Sequence, residues 1–366
     1  MGLQIIKPDT HFDFIGFRKL AFLASALVIL VGLVSLVYNG GPKYGIDFAG
    51  GIVVQVKVDK DVDVGAVKDV FNEADLPGVV VQRLGLEADN EFLVRTSSSD
   101  IPSEQVRKIV ADAFAKDMPN AHADIQRLEM VGPKVGADLR SKALEALFYA
   151  VLLIAIYISG RFEQRWMAAA IMAGALFLGI TGLDAIGLST GYLVVGAMII
   201  TLGLCWYLKL NYALGAVVAL VHDVMITVGI FSLLGKEFDL TIIAALLTII
   251  GYSLNDTIIV FDRIRENLRA SKGQDFAKSI NESINQTLSR TILTSGTTLL
   301  VVICLYALGG GVIHDFALAL LIGIFVGTYS SIFVASPILL GFGPGSTDDE
   351  PENAEKPGKG KKAVEA

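Results

Sequence analysis

Long apolar runs separated by short polar connections dominate the chain. A helix needs about 20 consecutive apolar residues to cross the hydrocarbon core of a bilayer. Runs near this length lie at residues 20–38, 143–159, 167–186, 192–208, 212–234, 240–261, 291–308 and 313–340. The pattern therefore predicts a polytopic α-helical membrane protein with about eight spans, in which a first transmembrane helix at 20–38 precedes a bundle of seven spans at 142–340.

The polar stretch at residues 39–141 predicts one small domain between the first two spans. Its alternating and helical patterns follow the order strand, helix, strand, strand, helix, strand. These elements are expected at Gly51–Val58, Val64–Ala74, Val79–Leu84, Glu91–Thr96, Pro102–Lys116 and Asp124–Met130. The order β-α-β-β-α-β is that of the split-βαβ arrangement. We therefore expect a small α+β ferredoxin-like domain, a fold that by itself indicates no function.

The charges of the connecting segments predict the orientation in the membrane. If the N-terminus is cytoplasmic, the short outside loops carry a single Lys, and the inside segments carry the other Lys and Arg residues that flank the spans. This asymmetry follows the positive-inside rule. We expect residues 1–19 in the cytoplasm, residues 39–141 outside it, and residues 341–366 in a disordered cytoplasmic tail.

Composition excludes several classes of protein. Of the 366 residues, 53% are hydrophobic and 18% are charged, which is too apolar for an ordinary soluble domain. The net charge of −7 and the absence of a basic stripe argue against nucleic-acid binding. Cys205 and Cys304 lie in apolar runs, so no disulfide holds the polar domain, and no metal-type Cys/His spacing occurs. Without a nucleophile–base set or phosphate loop, we predict neither an enzyme nor a cofactor.

Two charged residues lie where a membrane protein rarely places them. Asp256 falls inside the run 240–261, and Arg290 opens the run 291–308. A carboxylate within a span costs about 2.5–3.5 kcal/mol on insertion scales, and such acids often mark proton pathways. Asp256 could either accept a helix-packing hydrogen bond or bind and release a proton. Arg290 could either snorkel to lipid headgroups or pair with a carboxylate until that group is protonated.

His222 and Asp223 form a second polar position near the middle of the run 212–234. The favoured interpretation is a buried interhelical hydrogen-bonding pair. The alternative is a second position in a proton relay, which would add both residues to the proton-coupling candidates Asp256 and Arg290. Asp47 lies in a Gly-rich turn after the first span, where a tight link between span and domain is the favoured role.

Several motifs together resemble the SecF family of membrane subunits of the bacterial Sec protein-export machinery. They are Tyr44–Gly51, Val131–Gly136, Val221–Val224, Tyr252–Thr257, Val260–Asn267 and Asn285–Thr291. They occur in the family's order, and the resemblance extends from about Phe12 to Pro337. The matched family-motif positions include Asp47, Phe48, Gly50, Gly51, Asn255 and Thr257.

The resemblance implies a proton-driven complex of the resistance-nodulation-division (RND) superfamily in the bacterial inner membrane. It implies a SecD-like partner, action after the SecYEG channel, contact with YajC and the translocating preprotein, and a lipid-bilayer environment. At the matching positions, Asp256 and Arg290 would belong to a proton pathway. In this reading, the proton-motive force helps to complete preprotein translocation.

One segment departs from the family pattern. SecF-like chains usually have six spans, whereas residues 166–211 here supply two additional ones. Two other functions also stay open at this stage. One is an RND-type exporter of small molecules or lipids, which the single small domain disfavours. The other is a structural assembly subunit whose charged groups only hold helices together.

Overall fold

The computed structural model describes residues 11–73, 79–84, 90–96, 101–119, 121–164, 166–185, 190–270, 275–309 and 311–341. The helices within these ranges are α1 (Arg18–Tyr38), α2 (Ile46–Ala49), α3 (Val64–Glu73), α4 (Ser103–Asp117), α5 (Pro133–Glu163), α6 (Trp166–Ala185), α7 (Thr190–Tyr207), α8 (Asn211–Leu233), α9 (Leu240–Ala270), α10 (Phe276–Leu308), α11 (Gly311–Ser330) and α12 (Ser336–Leu340). The strands are β1 (Gly51–Val58), β2 (Val80–Leu84), β3 (Glu91–Thr96) and β4 (Ala123–Val131). The predicted tail at 341–366 lies outside the described residues after Gly341.

Among the described helices, α1, α5, α8, α9, α10 and the helical segment Ile313–Leu340 are long and apolar enough to cross a bilayer. The apolar stretches of α6 and α7 are shorter, at Trp166–Gly179 and Gly191–Tyr207. The chain is therefore a polytopic helical membrane protein, and the count of eight spans stays a prediction.

Several helices extend beyond their apolar runs. Helix α5 begins at Pro133 and α9 continues to Ala270, well past the runs 143–159 and 240–261. Pro at the first helical position of α5 has no N–H to satisfy, which favours a helix start there. At the far end of α9, Asp262 pairs with Arg161 of α5, at 3.3 Å, on the water-exposed surface. Apolar runs mark the part of a helix that lipid or protein covers, so they underestimate its length.

Helix α8 lies at the centre of the bundle and contacts α1, α5, α7, α9 and α11. Small residues permit the closest of these contacts. The Cβ that a larger residue would add at Gly229 would lie 2.8 Å from Cα of Gly32 on α1. Between α11 and α9, a Cβ added at Gly327 would lie 2.8 Å from Cβ of Ser253. Both contacts bring backbones together and place nearby hydroxyl groups within bonding distance.

The small domain is a four-stranded antiparallel sheet in the order β2-β3-β1-β4. Strand β1 directs Ile52, Val54, Val56 and Val58 to one face, as its period of two predicts, and Val53 on the other face is buried as well. The four side chains of the first face form one apolar core with residues of β2, β3, α3 and α4: Ile52, Val54, Val56, Val58, Val67, Val70, Phe71, Val81, Phe92, Val94, Val106, Val110, Ala113 and Phe114. The opposite face of the sheet carries polar side chains such as Gln55 and Arg95.

Candidate functional site

Asp256 lies in a buried polar cluster between α9, α10 and α11. Its side chain is almost fully buried, and its Oδ2 accepts a hydrogen bond of 3.0 Å from Ser295 of α10. Ser295 in turn accepts a 2.8 Å bond from Thr328 of α11. Within the described part of the chain, the buried Oδ1 of Asp256 makes no direct hydrogen bond, and the nearby hydroxyl of Thr294 donates to backbone carbonyls of α10. An unpartnered buried carboxylate oxygen is costly as an anion, and it is a site where a proton can bind.

Arg290 is exposed on the surface of this chain, one turn of α10 before Ser295. It is close enough to attract Asp256 electrostatically. Among the described residues, however, no ion pair joins these two side chains. The positive charge of Arg290 therefore lies near Asp256 but does not form an ion pair with its carboxylate.

His222 and Asp223 form a second buried cluster, which joins four helices. Nδ1 of His222 lies 2.9 Å from Oδ1 of Asp223, and Nε2 lies 2.9 Å from the hydroxyl of Ser25 on α1. Oδ2 of Asp223 accepts bonds from Ser253 of α9, at 2.6 Å, and from Ser330 of α11, at 2.9 Å. Each ring nitrogen and each carboxylate oxygen of the pair contacts a polar group, and these contacts link α8 to α1, α9 and α11.

The directions of these hydrogen bonds favour one arrangement of the protons in the pair. Tyr329 donates its single hydroxyl proton to the carbonyl of Ala21, at 2.8 Å. Ser25, at 3.1 Å from the same hydroxyl, then donates to Tyr329 and accepts from Nε2 of His222. This arrangement places one proton on Nε2 and a second between Nδ1 and Asp223. In this interpretation the pair as a whole is neutral, which suits a site removed from water.

A π-helical segment, Ser331–Ala335, interrupts the last span beside this cluster. Such segments shift the side chains of a helix and are frequent at functional sites. Here the hydroxyl of Ser331 lies 2.9 Å from that of Thr257, whose own hydroxyl also donates to the carbonyl of Ser253. The segment thus begins where α11 supplies hydroxyl groups to both α8 and α9.

The remaining motif residues lie at two other places. Asn255 is exposed on the surface of this chain, away from the two buried clusters. Phe48 is buried among residues of α5, α8 and α9, and Oδ2 of Asp47 accepts a 3.0 Å bond from the N–H of Leu240. Gly50 has a φ of 77° and lies against Pro133, where a Cβ would meet backbone atoms. Gly51 begins β1.

The hydroxyl groups that complete both clusters are not evident from the sequence. Ser25, Ser295, Ser330 and Thr328 come from α1, α10 and α11, far from the acids along the chain. Their only signal in the sequence is a hydroxyl inside an apolar run, and many runs contain such residues. Within the described residues, no group of three or more His, Cys, Asp or Glu side chains could hold a metal ion.

Comparison with known proteins places these features in a family. Residues 110–181 and 185–344 match the family described as protein export membrane protein SecD/SecF, C-terminal, and residues 38–62 match the SecD/SecF GG motif. A protein translocase subunit SecF of Magnetococcus marinus is 44% identical over 94% of this chain and 96% of its own length. The corresponding subunit of Calditerrivibrio nitroreducens is 39% identical over 92% of this chain and 96% of its own length.

A solved structure has a similar fold. The crystal structure of SecDF from Thermus thermophilus, described as a translocon-associated membrane protein, matches 92% of this chain with a TM-score of 0.68 and 32% identity. This chain covers 39% of that SecDF chain. The fold and buried polar clusters define a polytopic helical membrane protein of the transport type. The chain belongs to the SecF family of protein translocase subunits.

Substitution of Asp223 tests the neutral-pair interpretation. We expect Asp223→Asn to be tolerated, since its amide can donate to Nδ1 of His222 and its oxygen can accept from Ser253 and Ser330. Asp223→Leu would leave Nδ1 of His222 and the hydroxyl of Ser253 unsatisfied, at about 1–3 kcal/mol each, whereas Ser330 keeps its bond to the carbonyl of Gly327. Thermal unfolding of the purified protein should then show the Leu variant destabilised by about 2 kcal/mol or more, on the same scale. Equal destabilisation by Asn and Leu would contradict the interpretation.

Proposed function

We propose that this chain acts with a SecD-like subunit and uses the proton-motive force to help complete preprotein translocation after the SecYEG channel. The observation that carries the proposal is Asp256, a buried acid with an unpartnered oxygen inside a membrane helix of a translocase-subunit family. We also propose that the chain works as a transport subunit rather than as an enzyme. The SecF names of its relatives disfavour the exporter of small molecules or lipids.

Protonation of Asp256 is the central step of the proposed mechanism. In the charged state, the acid holds Ser295 of α10 and is attracted by Arg290. Proton binding at Oδ1 removes the negative charge and ends that attraction, so the contact between α9 and α10 becomes weaker. One proton crossing about 100 mV supplies about 2.3 kcal/mol, which shifts a two-state equilibrium roughly fiftyfold. Repeated binding and release would therefore move α9 against α10.

His222 and Asp223 have a different proposed role. Their hydrogen bonds to α1, α9 and α11 favour a neutral joint that holds four helices in register. A second relay position stays an alternative, because the shared proton between the two side chains could be passed on. The tolerance of Asp223→Asn distinguishes these roles, since Asn keeps the hydrogen bonds and removes the titratable acid.

We propose SecD as the principal partner, because the Thermus thermophilus neighbour is a longer SecDF chain. Helix α10 supports a partner surface, since it exposes Arg290 together with apolar side chains such as Leu300 and Val301. Contacts with SecYEG, YajC and the preprotein are part of the same proposal. The proposed location is the bacterial inner membrane, with both termini in the cytoplasm.

We also propose a fold and location for the small domain and a role as spans for α6 and α7. The antiparallel order β2-β3-β1-β4, with both helices packed on one face, supports a ferredoxin-like domain outside the cytoplasm at residues 39–141. Helices α6 and α7 would be the two additional spans of the segment 166–211. They pack against α5 and, through α7, against α8, and they carry none of the buried acids described above.

Complementation tests the proposed function. The chain and its cognate SecD-like subunit would be expressed together in bacteria depleted of their own SecD and SecF, and export of a secreted reporter would be measured. We expect restored export that falls when a protonophore collapses the proton gradient. Unchanged export relative to depleted cells, with the complex present in the membrane, would refute the proposal.

A further inference from the structure

The small domain is fastened to the bundle at the loop between α8 and α9. The N–H of Gly45 donates to the carbonyl of Phe238, and the N–H of Phe238 donates to the carbonyl of Lys43, both at 2.8 Å. The segment that follows the first span therefore runs beside this loop as a short strand would. We call residues 43–47 and 236–240 the clasp.

The clasp also holds the beginning of α9, the helix that carries Asp256. Oδ2 of Asp47 accepts from the N–H of Leu240 at 3.0 Å, and Oδ1 of Asp239 accepts from the N–H of Ile242 at 2.8 Å. Negative charge at a helix N-terminus is stabilising, because the first N–H groups lack partners in the helix. Burial raises the pKa of Asp239, and the charge of Asp47 acts in the same direction. Both acids tie the clasp to α9.

Arg95 connects the sheet to the same loop. Its guanidinium, on β3, forms an ion pair with Glu237 of the clasp, and Lys43 lies 3.5 Å from the other carboxylate oxygen of Glu237. The side chains of Arg95 and Glu237 are only 22% and 14% exposed. Burial lowers the pKa of Arg95, while the charges of Asp239 and Asp315 oppose this shift. A largely buried pair of this kind depends strongly on both partners.

Helix α9 can carry motion from Asp256 to this pair. The 16 residue steps from Leu240 to Asp256 correspond to about 24 Å of helix at 1.5 Å per residue. The helix is continuous over this length, so a rigid-body displacement of α9 at Asp256 would also move the clasp. The sheet in turn is attached to the clasp through Arg95 and through the backbone of residues 43–45.

We propose that the clasp and the Arg95–Glu237 pair form the coupling joint through which movement of α9 displaces the small domain. Arg95 and Glu237 are then positioning residues for export, and they lie outside the path of the proton. This inference rests on the proposed function, in which Asp256 is the proton-binding group. This inference assigns a role to Arg95, which lies outside the family motifs named above.

Charge reversal tests the joint in the full chain with its SecD-like partner. Arg95→Glu, Glu237→Arg and the double variant would be compared in proteoliposomes for proton flux and in cells for export. We expect each single variant to lower export at least about fivefold, the low end of coupling between two sites. Proton flux should persist in both single variants. The double variant should recover part of the export, because the opposite charges meet again while Lys43, Asp239 and Asp315 now face like charges.

A matched control lies on the same face of the sheet. Arg127 on β4 pairs with Glu129 of its own strand and does not join the clasp, so Arg127→Glu should leave export and proton flux unchanged. If Arg95→Glu fails to assemble with the partner, Arg95→Gln gives the same test, since it keeps much of the side-chain length and removes the charge.

The outcomes separate the joint from the proposed function. Unchanged export in the single variants, failure of the double variant to recover, or parallel loss of proton flux and export would each overturn the joint. Reduced export with retained flux and recovery in the double variant would support it. Absence of proton flux in the wild-type complex would instead refute the proton-driven function. Recovery of export in the double variant would then be the remaining test of the coupling joint.

Discussion

Asp256→Asn is expected to reduce export sharply while the complex stays assembled. Asparagine has nearly the same volume, and its oxygen can still accept the bond from Ser295. It cannot bind and release a proton, so the driving force is lost. Without the bias that one proton provides across about 100 mV, export should fall by up to roughly fiftyfold.

Export of a secreted reporter, measured together with the membrane level of the complex, checks this prediction. Asp262→Asn is the matched control, because Asp262 lies on the same helix and its side chain is 38% exposed beside Arg161. We expect the control to export normally. Normal export by Asp256→Asn with normal assembly would make Asp256 a structural hydrogen-bond acceptor and would contradict the mechanism.

Gly229→Leu is expected to separate α1 from α8 and to destabilise the bundle. The first side-chain carbon would meet the backbone of Gly32 at 2.8 Å, a contact that only backbone movement can relieve. Displacement of α1 also breaks the bond between Ser25 and His222 and that between Ser35 and Ser232. Overpacking alone costs about 1–3 kcal/mol, and each lost hydrogen bond adds about 1 kcal/mol.

Thermal unfolding in detergent and the membrane level of the protein would measure this effect. Gly251→Leu is the control, since a Cβ at Gly251 on α9 meets no atom within 4 Å. Because Leu also favours helix over Gly, the control should match or exceed the wild-type stability in this assay. Equal loss of stability in both variants would show that the contact with Gly32 has no special importance.

The sequence predicted the elements of the fold well because periodicity depends on local geometry. The alternation in Gly51–Val58 marked β1 to the residue, and six of the eight apolar runs correspond to described helices that are long and apolar enough to cross a bilayer. Helix ends were less accurate, as at Pro133 and Ala270, because polar turns continue beyond the apolar surface.

The candidate site was only partly predictable. Ser253 and Asp256 are three residues apart and lie on the same side of α9, yet the structure directs Ser253 to Asp223 and Asp256 to Ser295. A shared face on one helix does not tell which neighbouring helix each side chain meets. The partners Ser25 and Ser330 could not be selected from the many hydroxyl residues in the apolar runs for the same reason.

The sequence by itself determined that the chain crosses a membrane, that it carries a small α+β domain, and that acids lie inside its spans. These properties follow from local periodicity and from the cost of charge in lipid, which single segments express. Only the tertiary structure decided that Asp256 keeps an unpartnered oxygen, that His222 and Asp223 join four helices, and that Arg95 reaches Glu237. These contacts join residues far apart in the chain, so they depend on how the helices and the sheet pack together.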